Sequence, residues 1–155
     1  MCTWTVVFHR AATVRSASAG GSVATSVNVP MRARLAAKHP AVKFLAIADL
    51  DPARAKALAD QTGADFHSGS NDEVISRPEV NAVFVSTPED MHVAPVRKAL
   101  ELGKPVLCEK PLALTLADAD EIISVWRKTA GNLRIGYSRR LDRKSTRLNS
   151  SHVKR

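Results

Sequence analysis

The sequence has few cysteines and no long apolar run, and each shortage excludes a class of protein. Only two of the 155 residues are cysteines, which excludes a disulfide framework and fits a reducing compartment. No apolar run approaches the roughly 20 residues of a membrane-spanning helix, so we expect no membrane partner. We therefore expect a cytoplasmic protein. The alternative is an organelle transit peptide, because residues 1–19 carry arginine and serine but no acid.

Aromatic residues are also scarce, at 5% of the chain, but apolar residues make up 45%. That content is sufficient for the core of one α/β domain of this length. Two such domains would not fit. The two cysteines need no chemical role, and Cys108, which lies in an apolar segment, is predicted to be a small buried hydrophobic residue.

The formal charge of +8 is distributed unevenly along the chain. Residues 142–155 carry a net charge of +4, residues 1–19 carry +2, and the intervening residues 20–141 carry only +2. Basic character therefore belongs mainly to the ends, and we expect no nucleic-acid partner for the folded part. A nucleic-acid binder remains a hypothesis that predicts loss of binding when residues 142–155 are deleted.

Short β-branched runs alternate with helical segments along most of the chain. This alternation predicts an α/β fold with a doubly wound, mostly parallel Rossmann sheet and helices on both faces. The first strand is expected at residues 13–18, although small and polar residues occupy positions there that should be buried. Later strands are predicted at 42–48, 64–66, from 82, at 106–108 and at 133–137, and helices within 23–38, at 53–61, at 71–76, between Pro95 and Gly103, and after 115.

Capping signals fix two of these helices. Asp51 and Pro52 form an N-cap and a first-position proline, and Gly63 closes the same helix. Thr115 and Asp118 form a capping pair for the last helix. One apolar face of that helix is predicted to contain Ala119, Ile122, Ile123 and Trp126.

Polar residues follow the apolar runs at 82–85 and 106–108. The first run leads into Thr87 and Pro88, and the second into Glu109, Lys110 and Pro111. The carboxyl ends of parallel strands are the edge at which open α/β sheets bind ligands. Because a lysine beside a carboxylate is an unusual choice for packing alone, these segments indicate a site. A surface ion pair is the alternative.

A glycine pair precedes the first helix, in the place of a phosphate-binding turn. Gly20, Gly21, Ser22 and Val23 would let backbone amides approach a pyrophosphate, although a flexible turn is the alternative. Asp49 ends the second strand, where a carboxylate can accept the hydroxyls of an adenosine ribose. A helix cap is the alternative for Asp49. Arg54 lies close enough in sequence to bind a 2′-phosphate instead, so both NAD and NADP are possible cofactors.

Several of these segments together resemble the Gfo/Idh/MocA oxidoreductases. The resemblance extends from about residue 20 to 141 and is carried by Thr87, Pro88, His92, the run 99–113 that contains Glu109-Lys110-Pro111, and the segment 136–140. It implies an NAD(P)-binding domain followed, in complete members, by a second α+β domain that this chain lacks. Ser18 departs from the family by replacing its usual first glycine, which puts tight cofactor binding in doubt.

The resemblance also implies roles for individual residues. Lys110 would lie beside the nicotinamide and the substrate, as a desolvated ammonium that assists proton transfer and is the catalytic residue. His92 would orient its loop rather than act in catalysis. The residues expected to contact the cofactor are Gly20, Gly21, Ser22, Val23, Asp49, Arg54, Thr87, Pro88, His92, Glu109, Lys110 and Arg139. Arg139 and the adjacent Arg140 could equally be a solvated charge pair. No metal ligand is expected.

Both ends of the chain look foreign to this pattern. Residues 142–152 match the translation of a widely used short-read sequencing adapter, and a solvated basic tail is the alternative. A frameshift ahead of Gly20 would explain the unusual first strand, and a divergent genuine strand is the alternative. We therefore predict an aberrant, poorly ordered segment 1–19, a Rossmann domain 20–141 and an artefactual disordered tail 142–155.

The resemblance implies an NAD(P)-dependent oxidoreductase as the parent protein. It would transfer hydride between nicotinamide and a hydroxyl group of a sugar, an inositol or a related polyol. We expect the parent to be a homo-oligomer and the present chain to be inactive by itself, because partners for proton transfer would come from the second domain. The alternative is a nucleotide-binding or sensing module without catalysis.

Overall fold

The computed structural model describes residues 4–7 and 28–137. These residues form a six-stranded sheet with the strand order β3-β2-β1-β4-β5-β6, and every neighbouring pair of strands is parallel. The strands are β1 (Trp4–Val7), β2 (Leu45–Ala48), β3 (Phe66–Ser68), β4 (Val83–Val85), β5 (Val106–Cys108) and β6 (Leu133–Ile135), and the helices are α1 (Asn28–Lys38), α2 (Pro52–Thr62), α3 (Asn71–Ser76), α4 (Val93–Glu101) and α5 (Leu116–Thr129).

Alternation along β2 divides the apolar core between the two faces of the sheet. Leu45 and Ile47 pack with residues of α1 and α2, including Ala33 and Ala59. The intervening Ala46 and Ala48 pack on the opposite face, in a cluster with buried residues of the other three helices. All four positions of β2 are buried, as expected for a parallel strand covered on both faces. The predicted doubly wound fold is confirmed.

The predicted caps are present. The Asp51 carboxylate accepts a hydrogen bond from the Ala53 amide at 3.0 Å. Gly63 ends α2 with a φ of 68°, in the left-handed region where glycine is favoured. Thr115 caps α5 by accepting from the Asp118 amide at 3.1 Å. Local sequence therefore determines where these two helices begin or end.

The prediction for the first strand was wrong. The central position between β2 and β4 is occupied by Trp4–Val7, not by residues 13–18. The segment from Thr5 to Val7 is rich in β-branched residues, which favour strands. The predicted domain start at residue 20 left this segment out, whereas residues 13–18 lie outside the described part of the chain.

Smaller differences concern element ends and one aromatic residue. β3 begins at Phe66, where the predicted strand ended, and β2 begins only at Leu45. Trp126 is 40% exposed, and its indole nitrogen donates to the Gly131 carbonyl at 2.7 Å. Ile122 does lie in the core, where Val125 packs against the same cluster in place of Trp126. No helix in the described residues is long and apolar enough to cross a membrane.

Candidate functional site

The parallel sheet brings the predicted site residues to one edge. Asp49 follows β2, Thr87 follows β4, and Lys110 follows β5. Because β1 and β4 separate β2 from β5, the carboxyl ends of β2 and β5 are about 14 Å apart at the usual spacing between strands. The strand order reverses direction between β1 and β4, which is the position where doubly wound sheets bind dinucleotides.

Asp49 lies in a small charged cluster at the end of β2. Its Oδ1 accepts from the Asp51 amide at 2.9 Å and from the Arg54 guanidinium at 3.0 Å. The Arg54 Nε also lies 3.4 Å from Asp51 Oδ2. One guanidinium therefore faces two carboxylates, and the cluster keeps a net negative charge. Negative charge at this position opposes a 2′-phosphate and favours ribose hydroxyls.

Thr87 and His92 connect the ends of β4 and β5. The His92 ring is fully buried. Its Nε2 faces the Thr87 carbonyl oxygen at 3.0 Å, and its Nδ1 faces the Pro111 carbonyl oxygen at 2.9 Å. Because the ring is enclosed, this geometry favours the expected positioning role. The Thr87 hydroxyl is buried and has no hydrogen-bond partner among the described residues, which is unusual unless a ligand completes it.

Glu109 and Lys110 are adjacent in sequence but differ in burial and in partners. Glu109 forms an ion pair with Arg32 of α1, and its side chain is 17% exposed. Lys110 is exposed, so the described residues do not supply the desolvation that was expected for its ammonium. Sequence reasoning also missed Arg32, because no local pattern connects a helix residue with a strand end so distant in sequence.

Cys108 precedes these two residues and is completely buried. Burial, assisted by the nearby Glu109 carboxylate, raises the pKa of the Cys108 thiol from 9.0 to about 12. The thiol therefore stays protonated at neutral pH and is a poor nucleophile. The prediction that Cys108 is a small buried hydrophobic residue is confirmed.

An open groove of about 430 Å³ lies beside the Asp49 end of the edge. Leu50 and Met91 contribute apolar surface to it, and Asn71 lines it as well. The Asn71 Oδ1 atom is buried without a hydrogen-bond partner among the described residues. The charged side chains of Asp90, Arg97, Asp118 and Glu121 also line the groove, and Lys110 does not.

Five predicted cofactor contacts lie outside the described residues, so their predicted roles remain predictions: Gly20, Gly21, Ser22, Val23 and Arg139. Among residues 4–7 and 28–137, no group of three His, Cys, Asp or Glu side chains could hold a metal ion.

The sequence of this chain is similar to those of a known protein family. Residues 21–137 match the Gfo/Idh/MocA profile, described as an oxidoreductase family with an NAD-binding Rossmann fold. An inositol 2-dehydrogenase of Saccharopolyspora erythraea is 39% identical over 105 residues, which cover 64% of this chain and 30% of that protein. The chain thus spans about a third of the length of such curated relatives.

Solved structures share the same fold. A probable dehydrogenase from Thermotoga maritima has a TM-score of 0.74 at 26% identity, covering 96% of this chain and 40% of that one. The myo-inositol dehydrogenase of Lactobacillus casei, solved with NAD(H) and myo-inositol, has a TM-score of 0.73 at 24% identity over 92% of this chain and 39% of that one. The family match covers most of the chain, so this protein belongs to the Gfo/Idh/MocA oxidoreductases.

Proposed function

We propose that this chain holds the cofactor-binding domain of an NAD(P)-dependent oxidoreductase acting on a sugar, an inositol or a related polyol. The observation that carries the proposal is the placement of Asp49 and Lys110 on one sheet edge, on opposite sides of the point where strand order reverses. The Thr87 hydroxyl, which has no hydrogen-bond partner among the described residues, follows β4, the strand next to β5. An elongated ligand is needed to reach all three positions.

The residues fit an NAD molecule in a defined direction. Asp49 would accept hydrogen bonds from the adenosine ribose, and the groove beside Leu50 would receive the adenine ring. The predicted turn at residues 20–23 would hold the diphosphate. Thr87 and Pro88 would line the middle of the cleft, and Lys110 would lie at the nicotinamide end.

The proposed reaction is inferred from the position of Lys110 at the nicotinamide end of the cofactor site. The bound nicotinamide would exchange hydride with a carbon of the substrate. The Lys110 ammonium would stabilise the oxygen on that carbon and help to move its proton. The inositol dehydrogenase relative supports a polyol substrate. Because this chain covers only part of such proteins, complete turnover is proposed for the parent protein and not for this chain alone.

Titration with NADH tests the binding step directly. We expect saturable enhancement of NADH fluorescence with the 155-residue chain, and no reduction of NAD when myo-inositol is added. Absence of binding up to millimolar NADH would contradict the claim that this polypeptide is a working cofactor domain.

The alternative, a nucleotide-binding module without catalysis, gives the same titration. The complete parent sequence separates the two functions, since the resemblance to the family implies that an enzyme would carry an acid and a histidine in a second domain to complete proton transfer.

A further inference from the structure

Glu109 is held from two sides, although it lies at a proposed ligand-binding edge. Its amide donates to the Val85 carbonyl at 2.9 Å, which continues the β4–β5 pairing by one residue. Its Oε1 atom forms an ion pair with Arg32, although the pair does not meet hydrogen-bond geometry and Oε1 has no hydrogen-bond partner among the described residues. A carboxylate that is engaged in this way is poorly placed to accept a proton from a substrate, so its position needs another explanation.

Arg32 is itself fixed by an aromatic ring. The Arg32 guanidinium lies over the Phe84 ring, 4.6 Å from its centroid, and the Arg32 side chain is only 27% exposed. A guanidinium that stacks on a ring while pairing with a carboxylate has its direction set by two contacts. Arg32 therefore joins α1, the middle of β4 and the end of β5.

Gly136 supplies the space that Glu109 occupies. A Cβ atom at Gly136 would lie 3.2 Å from Glu109 Oε2, closer than ordinary van der Waals contact. The absence of a side chain at Gly136, just after β6, thus accommodates the carboxylate. The contacts of Glu109 with β4, with Arg32 of α1 and with Gly136 after β6 are consistent with one fixed orientation of its side chain.

We propose that Arg32 is a positioning residue for Lys110. Its helix, α1, follows the predicted phosphate-binding turn, and its ion-pair partner Glu109 directly precedes Lys110. The Arg32–Glu109 pair therefore links the part of the domain that would hold the cofactor diphosphate to the backbone from which Lys110 projects. This inference rests on the proposed function, because it assigns a purpose to the pair only if a dinucleotide binds at this edge.

The test compares R32M with R34M in the 155-residue chain. Arg34 is a matched control, because it lies on the same helix but bonds to the exposed Gln61 side chain at 3.0 Å. We expect R32M to weaken NADH binding about five- to tenfold, R34M to change it less than about twofold, and R32K to recover part of the loss. The double variant R32M/E109Q should bind no more weakly than R32M, because both substitutions remove one interaction.

A second readout separates positioning from general destabilisation. Trace acetylation, quantified by mass spectrometry with Lys38 as the internal reference, measures how accessible Lys110 is. At saturating NADH, we expect protection of Lys110 of about fivefold in the unmodified chain and less than about twofold in R32M. Circular dichroism checks that both variants remain folded.

Each possible result decides a different claim. If the unmodified chain binds NADH while R32M matches R34M in affinity and in Lys110 protection, the positioning role is overturned and the proposed function stands. If the unmodified chain does not bind NADH, the proposed function of this polypeptide fails. Acetylation of Lys110 without cofactor then decides whether Arg32 orients it, since equal rates in R32M and R34M overturn that role.

Discussion

Lys104 and Lys110 flank the same strand, β5, yet the sheet gives them opposite surroundings. The Lys104 ammonium donates to the carbonyl oxygens of Ile75 and Arg77, which lie at the end of α3. Lys110 is exposed, and no described residue bonds to its ammonium. At the amino edge of the sheet, a lysine satisfies backbone carbonyl groups at the end of a helix by hydrogen bonding. At the carboxyl edge a lysine is left available for chemistry.

Other side chains at each edge can be compared in the same way. At the amino edge, the Arg77 guanidinium stacks over the Phe66 ring at 4.1 Å and pairs with Glu79 at 3.0 Å. At the carboxyl edge, the buried Thr87 hydroxyl has no partner among the described residues. The Arg77 Nε atom also has no hydrogen-bond partner among the described residues, so the two edges differ in their lysines and not in every polar group. The contacts of Lys104 with backbone carbonyls indicate a role in stability at the amino edge, and the exposed Lys110 beside the Thr87 hydroxyl indicates a role in binding at the carboxyl edge.

The largest expected effect is on stability at the amino edge. Lys104→Met should lower the free energy of unfolding by about 2 kcal/mol, because two carbonyl groups lose a charged donor. Lys110→Met should change it by less than about 0.5 kcal/mol, because the side chain is exposed. Urea unfolding followed by circular dichroism measures both. An equal loss in the two variants would remove the distinction between the edges.

The next effect concerns binding at the carboxyl edge. Asp49→Asn should weaken NADH binding about tenfold, since an amide replaces a charged acceptor of ribose hydroxyl groups. Fluorescence titration measures the dissociation constant. Asp60→Asn is the control, because Asp60 pairs only with Lys56 on the exposed face of α2 among the described residues. Equal binding by the two variants would argue against the ribose role of Asp49.

The two ends of β5 should also respond to pH with opposite signs. The pKa of the Cys108 thiol rises from 9.0 to about 12, so the folded state retains a proton that the unfolded chain releases. The contribution of this thiol to the free energy of unfolding is fully present well below pH 9. It should fall by about 1 kcal/mol between pH 9 and pH 10. Cys108→Ser should remove that fall.

Lys104 acts in the other direction. Burial lowers its pKa below 10.5, with a smaller opposing contribution from Glu79. The unfolded chain therefore binds more protons just below pH 10.5, and stability from this group rises with pH there. Urea unfolding at pH 8, 9 and 10 should show a steeper decline for Lys104→Met than for the unmodified chain. A shallower decline for Lys104→Met would show that folding raises the pKa of Lys104 and does not lower it.

The smallest expected effect is on the choice of cofactor. Arg54→Gln removes the cation that, among the described residues, pairs with Asp49 and Asp51, so the cluster becomes more negative. NADPH binding should weaken about threefold relative to NADH binding, because the 2′-phosphate meets more negative charge. Paired titrations with NADH and NADPH give this ratio. Lys56→Gln, two residues further along α2 and paired with Asp60 instead, is the control and should leave the ratio unchanged.

Much of the framework was predictable because local rules set it. The Asp51 and Thr115 caps and the left-handed turn at Gly63 depend on residues close in sequence. The first strand was not predictable in the same way. Trp4–Val7 is short, and only its pairing with β2 and β4 on both sides makes it the centre of the sheet. A short β-branched run carries too little local information to show whether it will be paired.

The sequence by itself determined the class of the domain, since periodic apolar runs, caps and strand-end motifs all act over a few neighbouring residues. It also indicated Asp49, Thr87 and Lys110, because polar residues at strand ends can be read directly. Only the tertiary structure decided which of these groups meet. The Arg32–Glu109 pair, the His92 bridge between two strand ends and the hydrogen bonds from Lys104 to Ile75 and Arg77 join residues far apart in the chain. Only the packed sheet sets their distances.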